Sequence, residues 1–311
     1  MIELDWDRLQ RLRDRFLTTD DKHRAIPDYW LEPADLQVYD QVLAERIGWK
    51  WDAVLAEIEG TRFVNQGPAL SAARILDWGC GTGIASRRFL ARFGSQHVQL
   101  HDRSKAAMDF AAQRLLHATP SLEVELQPAN PTTPDVLLLS HVLGELSDQN
   151  EARLLELAQR CQKILWVEPG THAIARRLSA IRDRLLNKFD MVAPCPHQSL
   201  CSALQSGPND WCHFFAKPPS KVFMDSSWVE IGRRLKIDLR ALPYHFLAMV
   251  RSQPGAISDD QIPTKRLIGR PEVRSKFVRF YQCDKSGMQT RTIFKGREPD
   301  LYKKIKKSGA L

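Results

Sequence analysis

Two aspartates and a run of spaced glycines form the strongest chemical signal in the sequence. The segment Asp77-Trp-Gly79-Cys-Gly81-Thr-Gly83 follows a short apolar run and precedes a helical pattern. Glycines at such a strand-to-helix turn let the backbone turn sharply and let a ligand approach it closely. Asp102 ends the next predicted strand, 19 residues after Gly83, where a carboxylate can bind both hydroxyls of a ribose. We therefore expect a nucleotide-like cofactor at this turn.

The spacing of the glycines distinguishes between two classes of cofactor. A dinucleotide fingerprint requires G-x-G-x-x-G, whereas this turn reads G-x-G-x-G with an acid two residues before the first glycine. That pattern resembles motif I of class I S-adenosylmethionine-dependent methyltransferases. The resemblance implies that the cofactor is S-adenosylmethionine, with Asp77 at the methionine ammonium and Asp102 at the ribose. The alternative is a relic pocket that holds the cofactor without chemistry.

Polar residues also follow the other predicted strands. Ligands of open α/β sheets bind beyond the carboxyl ends of the strands, so Asn130 and Ser140 are further candidates for the cofactor site. Asn130 is also a natural turn residue beside Pro131. His141 and Glu145 are candidate general bases, although a capping or core role explains them equally well. The chain lacks the Asn/Asp-Pro-Pro-Tyr/Phe segment that serves to methylate exocyclic adenine nitrogen.

Four of the six cysteines form a second candidate site: Cys195, Cys201, Cys212 and Cys283. In a chain without a secretion signal, cysteines indicate metal binding or catalysis before disulfides, and thiolates are preferred ligands of iron–sulfur clusters and structural zinc. The spacing matches neither a zinc ribbon nor a ferredoxin, so it leaves the metal open. His197 and His213 could replace thiols in a zinc site. Pro194-Cys195 also resembles the nucleophile of cytosine-5 RNA methyltransferases, but that dipeptide follows the fourth strand and this one follows the fifth.

The elements that must position these residues follow an α/β pattern. Residues 1–70 show helical spacing of apolar residues. In residues 71–190, short apolar runs alternate with helical stretches, which predicts βαβ units and a Rossmann-like, class I methyltransferase sheet. Residues 191–235 are expected to form a cysteine-rich insertion that carries three of the four cysteines of the candidate metal site. We expect residues 236–311 to add antiparallel strands that complete the same sheet, and to end in a basic tail.

Composition and charge limit the class of protein and its partners. The 311 residues are 43% hydrophobic and 26% charged, and no apolar stretch approaches the roughly 18 residues of a membrane helix. Membrane, collagen-like and disordered classes are therefore excluded. The acidic start lacks signal and transit features, so we expect a cytoplasmic, bacterial protein, and a monomer.

The positive charge is concentrated at the end of the chain. Residues 261–311 carry 14 Lys/Arg against 4 Asp/Glu, whereas the whole chain has a net charge of +8. This asymmetry predicts a polyanionic partner such as RNA, although a solvated basic tail would look the same. An arginine-rich helix over residues 174–189 is predicted to add cations to that surface, and the terminal residues 302–311 are expected to make few core contacts.

Several stretches resemble the methyltransferase-like family of the mitochondrial small ribosomal subunit and its bacterial relatives. They lie between residues 30 and 300 and read ILDWGCGTG, SHVLGEL, WVEPGT, APCPHQSLC, DWCHF and IGRP followed by Cys283. The combination of CPH, a later cysteine and WCHF is distinctive of that family. The resemblance implies that the four cysteines hold a [4Fe–4S] cluster, with His197 and His213 beside it or on RNA. It also implies a role in small-subunit assembly and translation, with ribosomal RNA as the methylation substrate.

Three functions therefore remain open. The first is a small-subunit-associated methyltransferase or assembly factor with a structural cluster, because four thiolates leave no open iron position. The second is a non-catalytic protein that keeps the fold as an RNA-binding scaffold. The third is a small-molecule methyltransferase with structural zinc, which the basic C-terminal part makes less attractive.

Overall fold

A large mixed α/β sheet and a smaller antiparallel sheet make up the protein. The computed structural model describes residues 4–17, 30–128, 133–253 and 264–308. The helices are α1 (Trp6–Leu17), α2 (Pro33–Tyr39), α3 (Glu45–Ile58), α4 (Arg62–Asn65), α5 (Ile84–Phe93), α6 (Lys105–Ala118), α7 (Asp148–Ala158), α8 (His172–Leu185), α9 (Ser202–Ser206), α10 (Ser226–Arg234) and α11 (Pro299–Ser308). The strands are β1 (Arg74–Trp78), β2 (His97–His101), β3 (Glu123–Leu126), β4 (Val136–Ser140), β5 (Lys163–Pro169), β6 (Phe189–Ala193), β7 (Phe214–Ala216), β8 (Leu242–Arg251), β9 (Lys265–Val273), β10 (Phe277–Asp284) and β11 (Gly287–Phe294). No helix in these ranges is long and apolar enough to cross a membrane.

The large sheet confirms the α/β prediction. Its strand order is β3-β2-β1-β4-β5-β8-β6, with β7 paired to β8. The first five strands are parallel to one another, and β8 runs antiparallel to β5, β6 and β7. The central strands are apolar and buried, as expected for strands covered by helices on both faces.

The strand order reverses direction between β1 and β4. From β1 the chain proceeds outward to β2 and β3, then returns to β4 on the other side of β1. Such a switch point opens a crevice at the carboxyl ends of the strands, where open α/β sheets bind their ligands. The candidate residues of the glycine turn and of the β4 end therefore lie at one edge of the sheet.

An N-terminal helix covers part of that edge. Helices α2 and α3 are continuous through a π-helical segment, Asp40–Ala44, and Pro33 begins the helix at the first position, where its missing N–H costs nothing. The core-facing side of α3 carries Trp51, Val54 and Ile58, all fully buried. This packing fixes α3 against the sheet and turns its neighbouring polar residues toward the end of β4.

The C-terminal part corrects one prediction. Only β8 joins the large sheet, whereas β9, β10 and β11 form a separate sheet in the order β11-β10-β9. The reason is a core of its own: alternate residues of β10 are buried and pack with residues of β11 and α11. This small core consists of Val278, Phe280, Ile293, Tyr302 and Ile305. The expected basic tail is thus an amphipathic helix whose apolar side is buried.

Candidate functional site

The glycine turn between β1 and α5 has the backbone geometry that the sequence predicts. Gly79, Gly81 and Gly83 all have positive φ angles, of 72°, 51° and 74°. A Cβ on Gly79 would lie 2.4 Å from Val142 Cγ1, and one on Gly83 would lie 2.9 Å from Ala111 Cβ. A Cβ on Gly81 would meet no described atom within 4 Å. Two glycines are therefore required by packing, and the middle one borders open space that a ligand can enter.

Asp77, at the end of β1, is a buried carboxylate with one free oxygen. Its side chain has 0% exposure, and its Oδ2 accepts a hydrogen bond of 3.2 Å from the backbone N–H of Ser86. Its Oδ1 is buried and has no hydrogen-bond partner among the described residues. Burial raises the pKa of Asp77 to about 6, against 3.8 ordinarily. An unpartnered buried acceptor is costly, which is the expected state of a group that completes its bonds with a ligand.

Asp102 lies just beyond β2 and holds the glycine turn. Its Oδ2 accepts from the Gly81 N–H at 2.9 Å, and its Oδ1 accepts from the Ser104 N–H at 2.9 Å. Each carboxylate oxygen has a second acceptor site, and the side chain is only partly buried. The carboxylate can therefore bind hydroxyl groups while it stays fixed by the backbone.

The end of β4 is covered by α3. Trp51 Nε1 donates to Ser140 Oγ at 2.9 Å, and Lys50 Nζ lies 3.4 Å from His141 Nε2. His141 has a positive φ of 56°, which is uncommon for a residue other than glycine. Desolvation, Lys50 and Arg46 together hold the pKa of His141 well below its usual range. The ring is therefore held in its neutral form, in which one nitrogen can accept a hydrogen bond.

Glu168, near the end of β5, extends this polar cluster. It is fully buried, and its Oε1 accepts from Trp166 Nε1 at 2.7 Å and from the N–H groups of Val142 and Leu143, each at 3.0 Å. Its Oε2 is buried without a hydrogen-bond partner in the described part of the chain. Burial raises the pKa of Glu168 to about 7 and lowers the pKa of Lys50 to about 7. Burial therefore disfavours the charged form of both residues.

The remaining candidates of this edge are less central. Glu145 is exposed and lies 3.7 Å from the guanidinium of Arg103, so it belongs to the surface rather than to the buried cluster. Asn130 lies outside the described residues.

The four cysteines of the second candidate site converge from four segments. Cys195 follows β6, Cys201 precedes α9, Cys212 precedes β7, and Cys283 is on β10. All four are free thiols. Burial raises the pKa of Cys212 well above its usual range, and its three partner thiols raise it further. The pKa of Cys195 is raised to about 12 by burial, with Cys201 and Cys283 adding to the effect. The thiols are thus close enough to influence one another.

Side chains of α8 hold this cysteine segment in place. The fully buried Arg182 donates to the carbonyls of Ser199 at 2.7 Å and His197 at 2.9 Å. The carboxylate of Asp183 accepts from the Cys201 N–H at 3.0 Å, and Arg176 donates to the Gly207 carbonyl at 2.8 Å. The expectation that the arginines of this helix are cations for RNA is therefore wrong for these two, because their guanidinium groups satisfy backbone carbonyls inside the protein.

The thiols do not form a ready site for a single ion. In the four described ranges, no group of three His, Cys, Asp or Glu side chains is arranged to hold one metal ion. His197 Nε2 lies 3.6 Å from Cys283 Sγ, and His213 lies against β9, where its ring would be 2.9 Å from a Cβ on Gly269. The two histidines are thus neighbours of the cysteines on different sides.

Comparison with known proteins identifies the family of the chain. The profile of the family described as "Mitochondrial small ribosomal subunit Rsm22" matches residues 38–309. The chain belongs to the Rsm22 family. This finding confirms the resemblance that the CPH and WCHF segments indicate. No curated protein matches the sequence.

Two solved methyltransferase structures are among those to which this Rsm22-family chain is similar at low identity. Magnesium protoporphyrin IX methyltransferase from Synechocystis, solved with bound S-adenosylmethionine, has 16% identity and a TM-score of 0.42, covering 81% of this chain and 100% of that one. Mitomycin 7-O-methyltransferase has 13% identity and a TM-score of 0.41, covering 79% of this chain and 68% of that one. At identities and TM-scores this low, neither likeness bears on function.

Sequence reasoning assigned no role to two residues of the site in this Rsm22-family chain. Lys50 lies between two tryptophans in an apolar helical pattern, and its contact with His141 spans 91 residues of sequence. Glu168 ends a buried strand beside Pro169. A charged residue within an apolar pattern is the signal that both share, because charged groups are seldom fully buried without a partner.

Proposed function

We propose that this protein binds S-adenosylmethionine at the glycine turn and acts on the small ribosomal subunit as a methyltransferase-like protein. Two observations in the same turn carry the cofactor: the buried Asp77 has an unpartnered Oδ1, and Gly81, four residues later, has an open side. Membership of the Rsm22 family, whose description names the mitochondrial small ribosomal subunit, supports the ribosomal partner.

Each residue of the turn has a distinct role in this proposal. Asp77 Oδ1 accepts from the methionine ammonium, and Asp102 accepts from the ribose hydroxyls while the Gly81 N–H keeps its carboxylate oriented. The open side of Gly81 lets the cofactor approach the backbone closely. When bound, S-adenosylmethionine supplies an electrophilic methyl group. Ser140 lies at the end of the neighbouring strand β4, at the carboxyl edge where open α/β sheets bind their ligands.

We also propose that the four cysteines hold a [4Fe–4S] cluster. Four free thiols from four segments, each close enough to influence the others, fit a ligand set of this type. A cubane binds each of its four thiolates to a different iron. The role would be structural, because all four iron positions would be occupied by thiolates.

The RNA partner is supported by the charge of the small sheet and α11. The 14 Lys/Arg and 4 Asp/Glu of residues 261–311 lie on these elements and on the turns between them. Lys303, Lys304, Lys306 and Lys307 are exposed, whereas the apolar Tyr302 and Ile305 of the same helix are buried. This arrangement presents cations to solvent on a folded surface, and contacts with phosphates would release counterions.

One observation favours the second candidate, a non-catalytic RNA-binding scaffold. Trp51 and Lys50 contact Ser140 and His141 directly, so α3 lies over the end of β4 where an acceptor would have to bind. In a protein that transfers methyl groups, α3 must move or the acceptor must enter beside it. In a scaffold, the same packing simply stabilises the fold.

The experiment that tests the proposal separates cofactor, partner and turnover. Anaerobically purified protein is titrated with S-adenosylmethionine by calorimetry, sedimented with small ribosomal subunits, and assayed for transfer of radiolabelled methyl groups to their RNA. Binding, co-sedimentation and transfer together support the enzyme, and the first two without transfer support the scaffold. A wild-type protein that binds no S-adenosylmethionine, or that never sediments with the subunit, contradicts the proposal.

A further inference from the structure

A row of rings stands on the outer side of the strand that carries Cys212. Along this segment, Cys212 and Ala216 are buried and Phe214 packs on the core. Side chains of an extended segment alternate between its two faces, so Trp211, His213 and Phe215 share the opposite face, where each is partly exposed. The segment therefore separates a cysteine-bearing inner face from an aromatic outer face.

The rings contact one another in sequence. Trp211 and His213 are stacked, with centroids 4.7 Å apart and planes 15° from parallel. His213 meets Phe215 edge-on at 5.5 Å, and the exposed His172 meets Trp211 edge-on at 5.2 Å. At the far end, the guanidinium of Arg270 lies over the Phe215 ring at 4.2 Å. We call these five residues the stacking row.

The stacking row is held rigidly in place. Trp211 Nε1 donates to the Gly170 carbonyl at 3.1 Å. The Gly269 N–H of β9 donates to the His213 carbonyl at 2.8 Å, and Gly269 has a positive φ of 69°. A Cβ on Gly269 would lie 2.9 Å from the His213 ring, so the missing side chain lets the ring lie against β9. A platform fixed in this way loses little entropy when it binds a ligand.

The free end of the row is positively charged. Arg270 is exposed and donates to the Arg240 carbonyl at 2.9 Å. Within the described ranges it makes no ion pair with a carboxylate, whereas the neighbouring Arg274 pairs with Glu272. One face of its guanidinium covers Phe215, and β9, which carries it, belongs to the basic sheet. A planar cation on an aromatic row beside many other cations suits a ligand that is both aromatic and anionic.

We propose that the stacking row is a binding platform for unpaired nucleobases of single-stranded RNA, with a base stacking on the guanidinium of Arg270. Unpaired bases stack on aromatic rings and on arginine planes, and their phosphates are bound by nearby cations. This inference rests on the proposed RNA partner, and it names the part of the surface that reads single strands. Because Cys212 is on the inner face of the same segment, the platform would also depend on the integrity of the cysteine site.

The test compares RNAs that differ only in their bases. Full-length protein, purified anaerobically, is titrated by fluorescence anisotropy with a short labelled single-stranded RNA and with the same RNA carrying abasic nucleotides in its centre. Loss of the stacking between one base and an aromatic platform lowers the affinity for RNA by about 5- to 150-fold. We expect the wild type to prefer the intact RNA by a factor in that range.

Three variants separate stacking from charge. Arg270→Ala and Arg270→Lys should both bring the ratio of intact to abasic affinity close to one, because lysine keeps the charge but has no plane. Arg291→Ala is the matched control, since it removes an exposed arginine from β11 of the same sheet. This control substitution should weaken the binding of intact and abasic RNA by the same factor, and should leave the ratio of the two affinities unchanged. Iron and sulfide are measured in every variant, and Arg270 is not adjacent in sequence to any of the four cysteines.

The outcomes distinguish the inference from the function on which it rests. Equal affinity of the wild type for intact and abasic RNA overturns the stacking platform, although the RNA partner stands. An Arg270→Lys variant that keeps the wild-type ratio overturns it too. No binding to any RNA, including small-subunit RNA, contradicts the proposed function itself.

Discussion

Replacing Asp77 by asparagine should stabilise the cofactor-free protein relative to the wild type, and this gain should be larger at neutral pH than at acidic pH. The same substitution should weaken cofactor binding. Burial raises the pKa of this carboxyl from 3.8 to about 6. The folded state therefore holds the proton more tightly than the unfolded state, and wild-type stability falls as the pH rises between these two values. A shift of this size lowers the free energy of unfolding of the wild type by about 3 kcal/mol between acidic pH and about pH 7, where the loss is complete. Asparagine does not ionise, so the variant escapes this loss.

The cofactor should respond in the opposite direction. Only the ionised carboxylate forms a charge-assisted bond with the methionine ammonium, so wild-type affinity for S-adenosylmethionine should rise as the pH increases through about 6. Removing one such bond costs about 1.5–3 kcal/mol, which is roughly a 10- to 150-fold loss of affinity for Asp77→Asn. Measurements should stay at or below pH 7.5, because an α-amino group itself loses its proton near pH 8.

Calorimetry and denaturant unfolding between pH 4 and 7.5 measure both effects. Asp109→Asn is a suitable control, because it removes the same charge from an exposed ion pair with Lys105 on α6. The reasoning fails if Asp77→Asn binds S-adenosylmethionine as tightly as the wild type at pH 7.5. It also fails if the stability difference between the two proteins does not change between pH 4 and pH 7.

The other predictions concern the cysteine site, the terminal helix and α3. Anaerobically purified protein should contain about four irons per chain. The Cys212→Ser variant should lose this iron, whereas Cys161→Ser, a change in the core beneath α7, should keep it. Stoichiometric zinc without sulfide would favour the zinc alternative. Deleting residues 299–311 should destabilise the small sheet by several kcal/mol, because it removes the buried Tyr302 and Ile305, contrary to the expectation of a dispensable tail. Changing the four exposed lysines of α11 to glutamine should instead keep thermal stability. It should make the slope of log affinity for RNA against log salt concentration less steep by roughly 0.7–0.9 for each phosphate that the helix no longer binds. An unchanged slope would refute phosphate binding by these lysines. The Lys50→Met substitution should raise the free energy of unfolding more at pH 6 than at pH 9. Burial lowers the pKa of Lys50 to about 7, so the wild type must bury a charged ammonium group below that pH. An equal gain at pH 6 and pH 9 would contradict this reasoning.

Local patterns predicted the part of the fold around the glycine turn well. The short apolar run before the turn forms strand β1 and the helical pattern after it forms helix α5, because both patterns are limited there by the turn residues. The glycines of the turn have the positive φ angles that their spacing implies. These features depend on neighbours within a few residues, which a single sequence contains. Whether Asp77 and Asp102 bind a cofactor stays a prediction.

Features that depend on distant contacts were predicted less well. Phe189 was expected to end a helix and residue 191 to begin the cysteine-rich insertion, but residues 189–193 form β6, which pairs with the antiparallel β8. The lysine-rich end looked like a solvated tail, and only the spacing of Tyr302 and Ile305, three residues apart, indicated a buried helical side. The arginines of α8 looked like RNA contacts because their carbonyl partners lie 15 or more residues away in sequence. In each case, long-range packing decided the outcome.

The late position of Cys283 follows from the way the two sheets meet. Ser202 Oγ, next to Cys201, accepts from the Met288 N–H at 2.7 Å, so the turn between β10 and β11 packs on α9. Arg266 of β9 donates to the Pro194 carbonyl at 2.9 Å, next to Cys195. The small sheet is thus docked on the large one where the cysteines converge. A ligand shared by all four thiols would join the large sheet to the basic small sheet, which would account for the position of one cysteine of the set in the C-terminal part. The uneven charge and the irregular cysteine spacing of the sequence are consequences of one arrangement, in which a separate basic sheet is docked beside the four cysteines.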